Sequence, residues 1–294
     1  MKGIKLKARA KINLILDVLS KRPDGYHDVE MIMQTIGLHD EIFIKETESF
    51  IRIYSNCNVI PLNETNIAFK AAKLIMKYVK IKRGIDIFLH KNIPVAAGLG
   101  GGSADAAAVL IGLNKLWNLE LSVDNLAKIA LSLGADVPFF TLGGTAIACG
   151  IGERLTPINT LENVIILLVK PVFAVSTVQV YSILDQAQIT QRPNLPQMLD
   201  ALMCRDLKGV GENLCNVLEQ VVCRMHPEIL LIKQEMMHNG ALGSLMSGSG
   251  PTVYGIFDDY IQAESLYKVF KERYPQSFLT YTCKDSIDII EELK

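Results

Sequence analysis

The stretch PVAAGLGGGSADAAA, residues 94–108, places four glycines in the five positions 98–102, directly before a run that strongly favours a helix. Glycine costs conformational order wherever it sits, so such a cluster marks a place where something comes close to the main chain. A helix N-terminus carries unpaired backbone N–H groups and a partial positive charge, and an approach free of side chains lets a phosphate rest against those donors. The competing explanation is a tight strand-to-helix turn that binds nothing, but four glycines exceed what such a turn needs. The following helix, SADAAAVLIGLNKLW, is expected to use Ser103 as its N-cap.

Two familiar phosphate loops do not fit. A Walker loop needs GxxxxGK[ST] with a lysine reaching the terminal phosphates, and here the glycines lead into GSAD. A dinucleotide fingerprint needs a third glycine where Ser103 stands. Glu120, near the distance expected of the ribose acid, follows KLWNLE rather than a strand.

Composition bounds the remaining choices. A chain of 294 residues exceeds what one hydrophobic core usually serves, so two domains are expected. Thirty basic and 31 acidic residues nearly cancel, with no run of like charge that would serve as an arm for nucleic acid, so any bound anion is held by local chemistry. The six cysteines form no CxxC pair and no zinc-ligand spacing; scattered thiols suit a reducing cytosol. Asn13 and Asp17 interrupt the apolar stretch near the N-terminus, no small-residue cleavage site follows, and no segment has the length of a membrane span. The expectation is a soluble cytoplasmic protein with neither a membrane nor a nucleic-acid partner.

Alternation marks IKLKARAKINLILDVL and DVEMIMQTIGLHDEIFIKE as strands around a turn at KRPDGYH. Helical spacing returns over 66–79 behind a capping Asn66, GIDIFLHKNIP reads as strand, and SVDNLAKIALSLG reads as a helix closed by Gly134. The turn-rich stretch GGTAIACGIGERLTPINTLEN reads as a boundary between domains 1–158 and 159–294. Beyond it follow the strand VIILLVKP, helices over 196–222 and 227–239, strands near ALGSLMSG and TVYGIF, a helix from YIQAESLYKVFKERY, and a last strand. Sheets with helices on one face accommodate that order, so the class is α+β.

The pattern PxxxGLGGGS[AS] resembles the phosphate loop of the superfamily that includes galactokinase, homoserine kinase, mevalonate kinase and phosphomevalonate kinase. The N-terminal KARAKINLILDV and the C-terminal LMSGSGPTVYGIF are similar to that superfamily's other two motifs, in the same order. AKINLILDVLSKRPDGYHDVEMIMQTIGLHDEI and LGADVPFF resemble the branch whose acceptor is a cytidylyl alcohol of isoprenoid precursor synthesis. Ala96 and Ala97 stand where that pattern commonly has glycine, and Ala104 where it often has a second serine; neither change removes a reacting group.

The resemblance implies an α+β, two-domain small-molecule kinase, with a ribosomal-protein-S5-like ATP-binding half and a ferredoxin-like C-terminal half. It also implies ATP with Mg2+, and a loop formed by Pro94, Gly98, Leu99, Gly100, Gly101, Gly102, Ser103 and Ala104, with Lys91 at the adenine end and Asn66 as a second candidate there. Lys11 and Asp136 take the catalytic places, as positive charge and as acceptor of the hydroxyl proton. Taken singly they would be an exposed strand lysine and a helix cap before Pro138; their position in two separate motifs assigns them to chemistry. Asn13 shares a strand face with Lys11 and can orient the substrate. Tyr26 and His27 offer a cytosine ring a flat partner and hydrogen bonds, and Tyr181 can close the other face. No acidic cluster would hold a metal by itself, so magnesium is expected on the nucleotide and water, with Ser103 touching either metal or phosphate. The other expectations are a monomer or weak homodimer. Two alternatives stay open: a kinase of the same superfamily acting on homoserine, mevalonate or a sugar, and a nucleotide-binding regulator without catalysis.

Overall fold

In the computed structural model, which describes residues 2–159 and 161–293, the chain opens with a long hairpin. Strand β1 (Gly3–Lys21) is followed by β2 (His27–Thr47). Ile4, Leu6, Ala8 and Ala10 turn inward while Lys5 and Lys7 alternate outward or to the rim, as a half-covered strand requires. From Lys11 to Val18 the strand is buried on both faces. The pairing of β1 with β2 shifts register at three places, one between Arg9 and Lys11. There the Lys11 N–H turns to the Leu99 carbonyl at 3.0 Å. Bulges of this kind re-aim a side chain, and this one ties the first motif to the glycine loop.

The chain continues through β3 (Ile51–Ser55), α1 (Ile67–Val79), β4 (Gly84–His90), α2 (Gly101–Leu116), α3 (Val123–Leu131), α4 (Val137–Leu142), β5 (Thr145–Gly150) and β6 (Arg154–Ile158). With β12 (Ile287–Leu293), from the end of the chain, these strands form a sheet of order β12-β1-β2-β4-β3, extended by β5 on β2 and β6 on β5. Helix α2 packs across β1 and β2 and against α1, α3 and α4. Its small residues, Ala104, Ala106, Ala107, Ala108 and Gly112, are buried, and a Cβ on Gly112 would meet Ile44 and Leu6 of the sheet at 2.9 and 3.0 Å.

The rest comprises β7 (Ile165–Val169), α5 (Thr177–Leu184), α6 (Leu195–Met203), α7 (Leu207–Glu212), β8 (Cys215–Asn216), α8 (Val217–Met225), α9 (Glu228–His238), β9 (Gly243–Met246), β10 (Val253–Phe257), α10 (Tyr260–Arg273), β11 (Ser277–Tyr281) and β12 (Ile287–Leu293). A second, antiparallel sheet has the order β11-β7-β10-β9, the arrangement of a ferredoxin-like half, with α9 and α10 packed on it. The sheets share an apolar core in which Ile12, Leu14 and Ile32 lie with Ile166, Leu168 and Tyr254. The Tyr254 hydroxyl donates to the Asn13 carbonyl at 2.8 Å, so the joint between the halves falls at the first motif.

Several sequence expectations are corrected. The turn-rich stretch before residue 159 contains the β5–β6 hairpin, because a hairpin at a sheet edge tolerates glycine and polar residues that a buried strand would not. The single helix expected over 196–222 is broken into α6, α7 and α8. Arg205 has a positive φ, and Asp206 and Asn216 cap new helices with their side chains. Strand β3 was not expected, and the one final strand is two, the second returning to pair with β1. The division at 158/159 stands as our proposal for the domain boundary; it falls between β6 and β7, with β8 and β12 crossing back to the first sheet.

Candidate active site

Gly100 caps α2 with φ 73°, so the helix begins at Gly101, and Ser103 lies inside the first turn instead of capping it. The reason is local: a left-handed residue turns the chain sharply into the helix without needing a side-chain cap. The first intrahelical bond is Ala104 N–H to the Gly100 carbonyl at 2.9 Å. The N–H groups of Gly101, Gly102 and Ser103 therefore have no partner within the helix.

The four glycines divide by role. A Cβ on Gly98, at φ +75°, would meet the Ser247 carbonyl oxygen at 2.1 Å, and one on Gly100 would meet the Phe140 ring at 2.6 Å. Turn and packing explain these two. A Cβ on Gly101 would press on Ile93 at 2.9 Å, whereas one on Gly102 would find nothing nearer than Ile67 at 3.6 Å. Gly102 is exposed, on the wall of a cavity of about 440 Å3 lined also by Asn66, Lys91, Pro94, Gly98, Gly100, Gly101 and Ser103. Leu99 and Ala104 do not line it. Their side chains are buried in the core, and Leu99 serves through the carbonyl that holds Lys11. Asn66 caps α1, its side chain accepting from Ala68 N–H.

The three motifs converge on Lys11. Its ammonium donates to Asn13 Oδ1 at 2.6 Å and lies 3.9 Å from Asp136 Oδ2. The Lys11 stem packs beside Gly100, and a Cβ on Gly248 of the C-terminal motif would sit 3.5 Å from its Nζ. Burial pushes the Lys11 pKa down, with Asp136 opposing. Asp136 begins α4 without using its side chain as a cap, and that side chain stays 37% exposed. Its carboxylate is thus reachable while the lysine beside it is sealed.

A second pocket, about 390 Å3, gathers Tyr26, His27, Thr177, Tyr181 and Asp185. The His27 and Tyr181 rings lie 4.8 Å apart, tilted by 38°, and His27 Nε2 is 2.7 Å from Asp185 Oδ1. Tyr26 is 59% exposed at the rim. Burial raises the Tyr181 hydroxyl to about 12, and the Asp136 charge adds to the rise.

Sequence reasoning missed Asn216 and Ser247. Buried Asn216 donates to the carbonyls of Met246 and Gly248, both at 2.8 Å, while its oxygen caps α8. The Ser247 hydroxyl donates to the Gly98 carbonyl at 2.9 Å, joining the two glycine loops. Asparagine before an apolar helical run was the available signal for Asn216; Ser247 lay within a quoted motif but carried no assigned role. Among the described residues no group of three or more His, Cys, Asp or Glu is placed to hold a metal, and no helix is long and apolar enough to cross a membrane.

An exposed, glycine-lined helix start, a buried lysine beside a reachable carboxylate, and two sheets packed on a shared apolar core are the features of a two-domain small-molecule kinase. Residues 66–144 match the model of the GHMP kinases N terminal domain, and residues 198–276 that of GHMP kinases C terminal. The crystal structure of a homoserine kinase from Cytophaga hutchinsonii shares the fold, with a TM-score of 0.77 at 18% identity over 98% of this chain and 97% of that one. A crystal structure of 4-(cytidine 5'-diphospho)-2C-methyl-D-erythritol kinase is nearer in both respects, with a TM-score of 0.81 and 31% identity over 95% of this chain and 99% of the other. The 4-diphosphocytidyl-2-C-methyl-D-erythritol kinases of Alkaliphilus oremlandii and Clostridioides difficile are 52% and 51% identical, covering 98% and 99% of this chain and 100% and 99% of theirs. The chain belongs to the 4-diphosphocytidyl-2-C-methyl-D-erythritol kinase family.

Proposed function

We propose that the chain transfers the γ-phosphoryl group of ATP to the 2-hydroxyl of 4-diphosphocytidyl-2-C-methyl-D-erythritol. The observation that carries this reading is the position of Lys11 and Asp136: the lysine stem packs against Gly100 of the glycine loop, and the reachable Asp136 carboxylate lies 3.9 Å from its ammonium. A phosphoryl group held at one side thus faces an alcohol held at the other.

Such a transfer asks for alignment and charge neutralisation more than for covalent chemistry. The N–H groups of Gly101, Gly102 and Ser103 receive phosphate oxygens. Asp136 accepts the proton as the alcohol oxygen bonds to the γ-phosphorus, and the β–γ bridging oxygen leaves with ADP. Lys11 neutralises charge on the transferring group, and Asn13, buried and bonded to its ammonium, fixes where that charge sits. Tyr26 and Tyr181 offer flat faces to the cytosine ring, while His27, braced by Asp185, presents a polar edge.

Magnesium completes the reading. The Ser103 hydroxyl at the cavity wall would suit the ion's preference for oxygen, with nucleotide and water supplying its other ligands. When bound, it neutralises phosphate charge. Lys91 and Asn66 line the nucleotide cavity; Asn66 is the residue left for its adenine end, because Asp40 and Asp105 draw the Lys91 ammonium under Gly101. We place the enzyme in the cytoplasm, in the non-mevalonate route to isoprenoid precursors, as a monomer or weak homodimer, since one chain supplies both pockets and both catalytic groups.

ADP release measured with the cytidylyl alcohol, homoserine and mevalonate tests the assignment. Turnover is expected only with the first; turnover with either of the others and none with the first overturns it.

A further inference from the structure

The tip of the first hairpin and the end of α5 meet at one carboxylate. Lys21 and His27 are cross-strand partners, the last pair of β1 with β2. Asp185 follows the last turn of α5, four residues after Tyr181, and so lies on the same helix face as that ring. Its Oδ1 is 2.7 Å from His27 Nε2, and its Oδ2 accepts from the Lys21 ammonium. Arg22, the next cation along, is engaged by Asp24 and Asp28. Lys21, His27 and Asp185 all line the pocket that holds Tyr26 and Tyr181.

Such an arrangement fixes which ring nitrogen carries the proton. The hydrogen bond from Lys21, and after it the one from His27, hold the Asp185 carboxyl below the usual carboxylate range, so it is ionised and can only accept. His27 Nε2 is then the donor, and in the neutral ring Nδ1 is left as an acceptor. Among the described residues Nδ1 has no hydrogen-bond partner, and it is not one of the sealed atoms that lack one, so a ligand can reach it. The side chain as a whole is only 9% exposed and packs on Tyr181, which limits its freedom to turn over. A pyrimidine with a 4-amino group offers that nitrogen a donor. One with a 4-oxo group sets acceptor against acceptor.

We propose that Asp185 is a specificity-determining positioning residue: by keeping the His27 proton on Nε2 it leaves Nδ1 as an acceptor, so that the pocket prefers a cytosine to a uracil on the alcohol substrate. This rests on the acceptor pocket assigned above and adds the residue that sets its choice of base. Asp185→Asn perturbs that choice most directly. An amide has one accepting atom and one donating group, and the Lys21 ammonium, which only donates, claims the amide oxygen. The amide NH2 then faces Nε2, the ring proton moves to Nδ1, and the pocket presents a donor suited to a 4-oxo group.

The test joins NMR of the 15N-histidine-labelled chain at pH 8 to binding and turnover. With the His27 signals assigned by their loss in His27→Gln, the wild-type ring should carry its proton on Nε2 and the ring in Asp185→Asn on Nδ1. With a non-hydrolysable ATP analogue filling the other cavity, the wild-type chain should bind cytidine 5′-monophosphate about 100-fold more tightly than uridine 5′-monophosphate, and Asp185→Asn should narrow that ratio to about tenfold or less. The ratio of kcat/KM for the cytidylyl and uridylyl alcohols should narrow in step, with KM for ATP unchanged. Lys21→Gln cuts the same tie between hairpin and α5 but keeps the carboxylate, so proton and preference should stay as in the wild type. A merely structural role would weaken both nucleotides equally in Asp185→Asn and leave the ratio and the proton where they were, which overturns the proposal. The wild-type spectrum decides by itself if that variant does not fold, because a proton on Nδ1 is also fatal. Preferential binding of the cytidine nucleotide without turnover of the cytidylyl alcohol would overturn the reaction proposed above and uphold this inference; equal binding of the two nucleotides would overturn the inference.

Discussion

Replacing Gly102 with alanine separates the ligand from the fold. The site is open: the added methyl would meet only Ile67, at 3.6 Å, an ordinary contact, and the backbone there is helical. Alanine in an exposed helical position, compared with glycine, stabilises by about 0.4–1 kcal/mol, chiefly by narrowing the unfolded ensemble. The variant should therefore melt at the same temperature as the parent or slightly above. The same methyl projects at the cavity wall where the Gly102 N–H is meant to meet a phosphate oxygen. Losing one hydrogen bond to a charged group costs about 1.5–3 kcal/mol, or about 10- to 100-fold in ATP affinity. Calorimetric titration with ATP and a thermal melt read the two effects independently. Gly98→Ala is the contrast, because its methyl would enter the Ser247 carbonyl at 2.1 Å from a positive φ, so the fold itself should weaken by more than about 1 kcal/mol. Undiminished ATP affinity in a stable Gly102→Ala protein would refute the assignment of phosphate to this helix start.

Asp136→Asn keeps the shape of an exposed side chain that caps nothing, so turnover should fall by about 10²- to 10⁴-fold with the melting temperature nearly unchanged; steady-state kinetics near the parent rate would remove Asp136 from its role. Tyr26→Ala removes an exposed ring from the rim of the acceptor pocket and should weaken binding of the cytidylyl alcohol about tenfold or more while sparing ATP. An unchanged Michaelis constant for the acceptor would rule out stacking there. Asn216→Ala should cost about 2–4 kcal/mol in chemical denaturation, since it strands two buried carbonyls and uncaps α8. A loss below about 1 kcal/mol would show that the 246–250 turn holds itself.

Much of the site was legible because its signals are local. The glycine run, the caps at Asn66 and the alternation of the first hairpin each act within a few residues. The motifs holding Lys11 and Asp136 were also recognisable, although the two side chains meet only in the folded chain. What was misread followed from the same locality. Ser103 resembled a cap because serine usually is one, but the left-handed turn at Gly100 moved the helix start forward. The stretch around β5 and β6 resembled a linker because edge strands need little apolar pattern. The break at Arg205 fell inside a run whose apolar spacing suited one helix.

The order of residues by itself determined that the chain makes strands and helices in α+β sequence, that a bare backbone leads into α2, and that lysine and aspartate stand in separate motifs. Tertiary structure decided which of those features act together. It assigned Gly98 and Gly100 to packing and left Gly102 open to the cavity, brought Tyr181 against His27, and enclosed Lys91 between two carboxylates from distant segments. The physical reason is that backbone preference is set by near neighbours, whereas burial, charge balance and free space depend on what the rest of the chain places alongside.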